Sequence, residues 1–226
     1  MIESTPAVEM AIFPLGSVLL PGMALPLRVF EPRYRVLVDT VLLADEPDFA
    51  SVLIERGSEV GGGEVRTSIG CVARIVEIAR HDDGQVSLLA IGVRRVVVEQ
   101  WLADDPFPRA LVRDWPDESD DTDGAEGAAD LGPAIARCVD TVDELTSLAA
   151  EIGLIVADPA GAEQRPTLSD DPTLRVYQLA TLSPLGPLDR QRVLSTPTLR
   201  VRVALLEELL EDQRIVLEAQ RGGDGR

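Results

Sequence analysis

Phe13-Pro14-Leu15-Gly16-Ser17-Val18-Leu19-Leu20-Pro21-Gly22-Met23-Ala24-Leu25-Pro26-Leu27-Arg28-Val29-Phe30-Glu31-Pro32-Arg33-Tyr34 is the stretch that decides the fold. Ala11 to Phe13 reads as the tail of a first strand. Pro14-Leu15-Gly16 and Pro21-Gly22 are turn punctuation, because proline fixes one backbone angle and glycine tolerates angles other residues avoid. Leu25, Leu27 and Val29 alternate with Pro26 and Arg28, the pattern of a half-buried strand. Pro26 has no N–H for a ladder, so this strand belongs at a sheet edge or beside a bulge. Glu31 stands where a helix cap would, and Pro32 fits the first helical position, where a missing N–H costs nothing.

Outward from this stretch, Tyr34, Leu37, Val38, Val41 and Leu42 stripe a helix that ends at Glu46-Pro47-Asp48. Phe49 to Glu55 is a buried strand, and Arg56 to Arg66 a glycine-rich loop. Thr67 to Ala79 and Val86 to Leu102 are two long strands around the hairpin signal Asp82-Asp83-Gly84. The second needs a bend, and Gly92 is the natural place for a bulge. Arg109 to Trp115 is a last strand. Residues 117–130 hold seven acidic and no basic residues, with no large apolar side chain, and read as a solvated, disordered linker. Beyond it the period changes from two to 3.6. Ile135, Val139, Val142, Leu145 and Ile152 stripe one helix; Leu174, Tyr177, Leu179 and Leu182 stripe a second, capped by Asp171 with Pro172. A short helix follows around Asp189 to Leu194. Thr196-Pro197 opens a last helix striped by Leu199, Val203, Leu206 and Leu210, and residues 221–226 look frayed. The sum is an α+β chain: a β-rich part over 9–115, an acidic linker over 116–130, and an α-helical part over 131–220.

Composition narrows the chemistry. The formal charge is −18, and no part is net basic, which makes nucleic acid and anionic membranes poor partners. Two cysteines, Cys71 and Cys138, are too few for a disulfide framework and point to a reducing, cytoplasmic setting. No signal peptide is evident, and no apolar run approaches the roughly 20 residues of a membrane span. All 21 basic residues are Arg; there is no Lys. That removes a Walker lysine, a Schiff base and a Ser–Lys dyad, and one His leaves little for a zinc site or a Ser–His–Asp relay. No enzyme activity, cofactor or metal is expected.

Each candidate site has a plain structural alternative. Gly57 to Gly63 lacks phosphate-loop spacing and carries Glu59, so it reads as a mobile hairpin loop, with a groove-lining loop as the second reading. His81, Asp82 and Asp83 read as a solvated turn. Cys71 and Cys138 read as small buried hydrophobes. Glu31, Arg33 and Tyr34 are either a cap, a salt bridge and a core aromatic, or one wall of a peptide groove. Arg94 and Arg95 point to opposite faces of a strand, one of them toward Glu31 or Glu99. Trp101, Phe107 and Trp115 flank the end of the β part and suit a junction plug.

The opening stretch, with Gly57-Ser58-Glu59-Val60-Gly61-Gly62-Gly63, Ser68-Ile69-Gly70-Cys71-Val72-Ala73-Arg74-Ile75 and Leu89-Ala90-Ile91-Gly92-Val93-Arg94-Arg95, resembles the substrate-binding (N-terminal) domain of Lon proteases, the peptidase S16 family. It is most similar to short stand-alone bacterial proteins built from that domain, and the resemblance spans roughly 9 to 212. It implies a curled, PUA-like β pseudo-barrel with one helix, followed by a helical bundle. It also implies a non-catalytic module that binds unfolded or degron-bearing polypeptide, as Lon proteolysis itself uses a Ser–Lys dyad. The residues placed on the binding wall are Leu25, Leu27, Val29, Glu31, Arg33, Tyr34, Glu59, Gly61, Gly62 and Gly63. The partners expected are extended polypeptide and a protease or chaperone. A structural homo-oligomer such as a homodimer, an adaptor for a separate protease, and a PUA-like RNA binder are the alternatives.

Overall fold

The structure is a computed structural model that describes residues 6–57, 63–118, 131–154 and 167–223. The chain divides into two compact units, Met1–Pro116 and Asp117–Arg226. The first holds β1 (Val8–Leu15), β2 (Ala24–Val29), α1 (Pro32–Val41), β3 (Asp48–Arg56), β4 (Val65–Arg80), β5 (Val86–Trp101) and β6 (Arg109–Asp114). The second holds α2 (Gly132–Glu151), α3 (Pro172–Leu182), α4 (Pro187–Leu194) and α5 (Leu199–Gly223). The architecture is α+β, as the alternation of periods two and 3.6 predicts.

In the β unit the strand order is β2-β5-β4-β3-β1-β6, and β6 pairs again with β5. That second pairing closes β1, β3, β4, β5 and β6 into a ring and leaves β2 outside it. The β1–β3 pairing is parallel, with Ile12 opposite Ala50; β1–β6, β3–β4, β4–β5, β5–β6 and β2–β5 are antiparallel. Every ring strand supplies the barrel interior: Ile12, Ala50, Val52, Val72, Val96, Val98, Ala110 and Val112 form one buried cluster. These are small and β-branched side chains, which a narrow barrel can accommodate.

The opposite faces of the same strands build a second core. Phe13, Leu15, Phe49, Cys71, Ala73, Ile75, Leu88 and Ala90 pack with Leu25 and Val29 of β2 and with Tyr34, Leu37, Val38 and Val41 of α1. Strands buried on both faces explain why β3 reads as a continuous apolar run rather than an alternation. Three strand segments extend beyond the ring: the end of β4, the start of β5, and β2, with Leu27 opposite Leu88. A bulge falls at Val93, where Val72 pairs with Arg94 and Ala73 with Gly92, so the expected bend beside Gly92 is present.

In the helical unit α2 packs along α5, α3 lies against both, and α4 sits beside α3 and α5. Ile135, Cys138, Val142, Leu145 and Leu148 of α2 are buried, with Val176, Tyr177 and Leu179 of α3, and Val203, Leu206, Leu209, Leu210 and Leu217 of α5. Asp171 caps α3 by accepting a hydrogen bond from the Leu174 amide at 2.8 Å. Leu174 itself is exposed and Val176 takes the buried position, a shift of face from the expected stripe. The last helix starts at Leu199, later than Thr196-Pro197 suggests. Thr196 is committed elsewhere: its hydroxyl donates to Val193 O at 2.8 Å and accepts from Arg202 at 3.1 Å. Thr198 caps instead, accepting from the Val201 amide at 3.3 Å. The helix continues through Arg221 to Gly223, where fraying was expected.

Asp117 and Glu118 depart from the solvated linker expected of them. The Asp117 carboxylate accepts two hydrogen bonds from the buried Arg202 guanidinium, at 2.7 and 2.6 Å, and the Glu118 amide donates to Pro197 O at 2.9 Å. The remainder of the expected linker, 119–130, lies outside the described residues.

Candidate functional site

β2 is the strand that the ring does not use. It pairs along its whole length with β5 and, among the described residues, with no other strand. Its two faces differ sharply. Leu25 and Val29 point into the core, Leu27 is half-buried, and Ala24, Pro26 and Arg28 are exposed. Ala24 lies opposite Ile91 and Pro26 opposite Leu89, so these four share the outward face. Ile91 and Val93, two apart on β5, are each 38% exposed. The outward face of this edge is therefore a short apolar strip, bounded by Arg28, which donates to Gln85 at 2.6 Å.

In the turn that follows, the salt bridge and the core aromatic of the structural alternative are present, and the side-chain cap is not. Glu31 takes the cap position with extended backbone but makes no side-chain cap; its carboxylate pairs with Arg33 at 3.1 Å. Pro32 opens α1. Tyr34 is buried, stacked on Phe13 with ring centroids 4.2 Å apart, and covered by the Arg33 guanidinium 4.5 Å from its ring centre. Burial pushes the Tyr34 phenol up to about 12, against the opposing pull of Arg33. Its hydroxyl and Glu64 Oε2 are buried with no hydrogen-bond partner among the described residues. Gly63 is exposed at φ +80°, with nothing near the position a side chain would take. Glu59, Gly61 and Gly62 lie outside the described residues.

So the structure brings Leu25, Leu27, Val29 and Tyr34 together as part of a core, with Glu31 and Arg33 as its lid. The reverse of the same strands carries Ala24, Pro26, Leu89, Ile91 and Val93, of which sequence reasoning singled out only Pro26, as the mark of an edge. The alternation names both sets equally well, and only the position of α1 decides which faces inward.

The other singled-out residues serve the fold. Cys71 and Cys138 are buried free thiols, each pushed up to about 12 by burial. His81 is exposed and shares a 2.7 Å hydrogen bond with Ser87 in the turn. Arg94 pairs with Asp114 at 2.9 Å and Asp48 at 3.3 Å rather than with Glu31 or Glu99, while Glu31 receives Arg33 at 3.1 Å and Glu99 receives Arg113 at 2.7 Å. Burial would raise the Asp48 carboxyl, but hydrogen bonds from Arg74 and Arg94 outweigh it and hold it below the usual range. Phe107 joins the core of the β unit; Trp101 is exposed beside Arg66, and Trp115 lies under Arg95. No group of three or more metal-ligating side chains occurs among the described residues. No described helix is long and apolar enough to cross a membrane.

A second concave feature borders α1. It is a groove of about 590 Å³ lined by residues of β1, α1 and the segment Asp105 to Arg109. Its residues are spread over a hundred positions, and in sequence Glu46-Pro47-Asp48 reads only as a helix stop.

Comparison with known proteins agrees with this architecture. Residues 9–212 match the family model of the ATP-dependent protease La (LON) substrate-binding domain. The chain is similar to the Lon protease of Anaeromyxobacter dehalogenans, 26% identical over 220 residues, covering 96% of this chain and 24% of that protein. It is similar to the Lon protease of Roseiflexus castenholzii, 28% identical over 214 residues, covering 93% and 25%. It thus spans about a quarter of the length of these relatives. Among solved structures, the Lon N-terminal domain protein from Xanthomonas campestris superposes with a TM-score of 0.61 at 26% identity, covering 89% of this chain and 98% of that one. The N-terminal domain of the Mycobacterium avium complex Lon protease shares the fold, with a TM-score of 0.60 at 15% identity, covering 91% and 99%. With a barrel, an appended edge strand and a helical unit all inside the matched span, the chain belongs to the ATP-dependent protease La (LON) substrate-binding domain family.

Proposed function

We propose that this chain is a non-catalytic, cytoplasmic module that captures unfolded or extended polypeptide. The observation that carries the reading is the β2 edge. A strand paired on one side only presents backbone groups that an added peptide strand satisfies. The apolar strip of Ala24, Pro26, Leu89, Ile91 and Val93 beside that edge offers side-chain contact to the same peptide. Pro26 interrupts the ladder, so pairing is partial and selective for short segments. The Leu25, Leu27, Val29, Glu31, Arg33 and Tyr34 set then acts from behind, holding β2 flat against α1. Family membership supports a polypeptide ligand, since the relatives use this domain as the substrate-binding part of a protease. Affinity is expected in the micromolar range or weaker, roughly, because an unfolded segment loses conformational entropy on docking.

The test is fluorescence anisotropy with a reduced, alkylated, permanently unfolded protein as ligand. Ile91→Asp and Val93→Asp change exposed side chains and should leave the thermal midpoint close to wild type. Both should weaken binding by about tenfold, a little over 1 kcal/mol. Undiminished binding by both variants would remove the edge as the capture surface.

A further inference from the structure

The groove between β1, α1 and the Asp105–Arg109 segment is a second surface with its own chemistry. Met10 and Ala11 of β1, Val36 and Val41 of α1, Ala44, and Pro106 with Phe107 give it apolar walls. Val36 and Thr40 stand one turn apart on α1, Ala44 follows just beyond its end, and all three are exposed. Val36 is 43% exposed, an apolar side chain in water at a concave site. The volume, about 590 Å³, is in the range that accommodates one or two side chains with their backbone.

The rim is acidic. Glu9, Glu46, Asp48 and Asp105 line the groove, against a single lining cation, Arg109. Arg109 is already engaged by Glu9 at 2.8 Å. Arg74 joins Glu46 and Asp48, each at 2.8 Å, and Arg94 reaches Asp48 at 3.3 Å while also pairing with Asp114, so three arginines answer four carboxylates. Asp105 makes no ion pair among the described residues, and Glu46 keeps 67% of its side chain in water. Negative charge at the mouth is therefore in excess of the arginines that answer it. An apolar floor beneath an acidic rim complements one kind of occupant: an apolar side chain followed by a cation.

We infer that this groove binds polypeptide segments in which an Arg or Lys stands next to a large apolar residue. The apolar side chain would seat between Met10, Val36 and Ala44, and the cation would meet Asp105 and Glu46. This inference rests on the polypeptide-binding reading above and adds a sequence preference to it. The edge strip adds no local preference beyond the general field of an acidic chain, because backbone pairing is blind to side-chain charge.

The experiment compares two labelled decapeptides by anisotropy, one of Leu, Phe and Arg, the other with each Arg replaced by Glu. Wild-type protein should favour the Arg peptide by about tenfold or more. Ala44→Arg and Val36→Arg, both at exposed positions, should abolish that preference, whereas Ile91→Asp should lower binding of both peptides and keep the preference. Amide hydrogen exchange on the wild-type chain gives a readout that needs no variant: the Arg peptide should slow exchange at Val36, Thr40 and Ala44. An unchanged preference in the two Arg variants, or no protection along α1, overturns the groove and leaves capture at the edge standing. Failure of wild-type protein to bind either peptide or an unfolded protein overturns the capture reading itself, and the groove with it.

Discussion

Arg202 has no contact with water, yet it carries a full charge. It is held by two hydrogen bonds to the Asp117 carboxylate, by Thr196 and Val193, and by the Tyr177 ring 4.5 Å from its guanidinium. Asp117 keeps 24% of its side chain exposed. The two partners should therefore respond unequally to mutation. Asp117→Ala strands a buried cation and is expected to cost the helical unit about 3–5 kcal/mol. Arg202→Met leaves a carboxylate that water can reach and should cost less. Urea unfolding followed by circular dichroism ranks the two; equal costs would mean the charge is not the dominant element. Asp48 makes a pH-dependent contribution in the other unit. Its folded-state carboxyl is held below the usual range by Arg74 and Arg94 despite burial, so its contribution is full above the unfolded value. It is lost as pH falls through the lower, folded value. The β unit should thus lose stability below about pH 4, and Asp48→Asn should flatten that slope in urea midpoints taken at pH 7 and pH 3.

At the scale of elements, Gly92 shows how much a single missing side chain can organise. Its N–H donates to Met23 O at 2.9 Å and its carbonyl accepts from Gly22 at 2.8 Å. A Cβ there would run into Leu20 O and stand 3.1 Å from Cys71 Sγ. Gly70 faces the same restriction against Ser51 O. Gly92→Ala should cost about 3 kcal/mol through overpacking, measurable as a lower midpoint in thermal unfolding. The strands and helices themselves were legible, since alternation and the 3.6 period survive wherever an element has one buried side. The bend near Gly92 was legible for the same reason: a strand of that length must turn. Three things were not. Thr196 reads as a cap until Arg202, six residues away, takes its hydroxyl. Leu25 and Ile91 are both apolar strand residues, and only the seat of α1 makes one core and the other surface. The groove joins Glu9, Glu46 and Asp105, which no local pattern can relate.

At the scale of the whole molecule, the charge of −18 has a consequence for any ligand. Cationic segments are drawn in by the general field as well as by a local rim, and salt screens the field first. Raising sodium chloride from 50 to 500 mM should weaken binding of an Arg-bearing peptide more than that of its Glu counterpart, converging the two in titrations. A ratio that stays constant would assign the preference to close contact alone. The two cysteines have a use of a different kind. Cys71 sits at 0% exposure in the β unit and Cys138 at 1% in the helical unit. Each thiol is pushed up to about 12 by burial, so neither presents a thiolate while its unit is closed. A thiol-reactive dye should leave the native chain unlabelled and mark each cysteine when its own surroundings open. With one reporter in each unit and no others, peptide mapping of the dye through a urea series clocks the opening of barrel and bundle separately, in a single tube and without an engineered label.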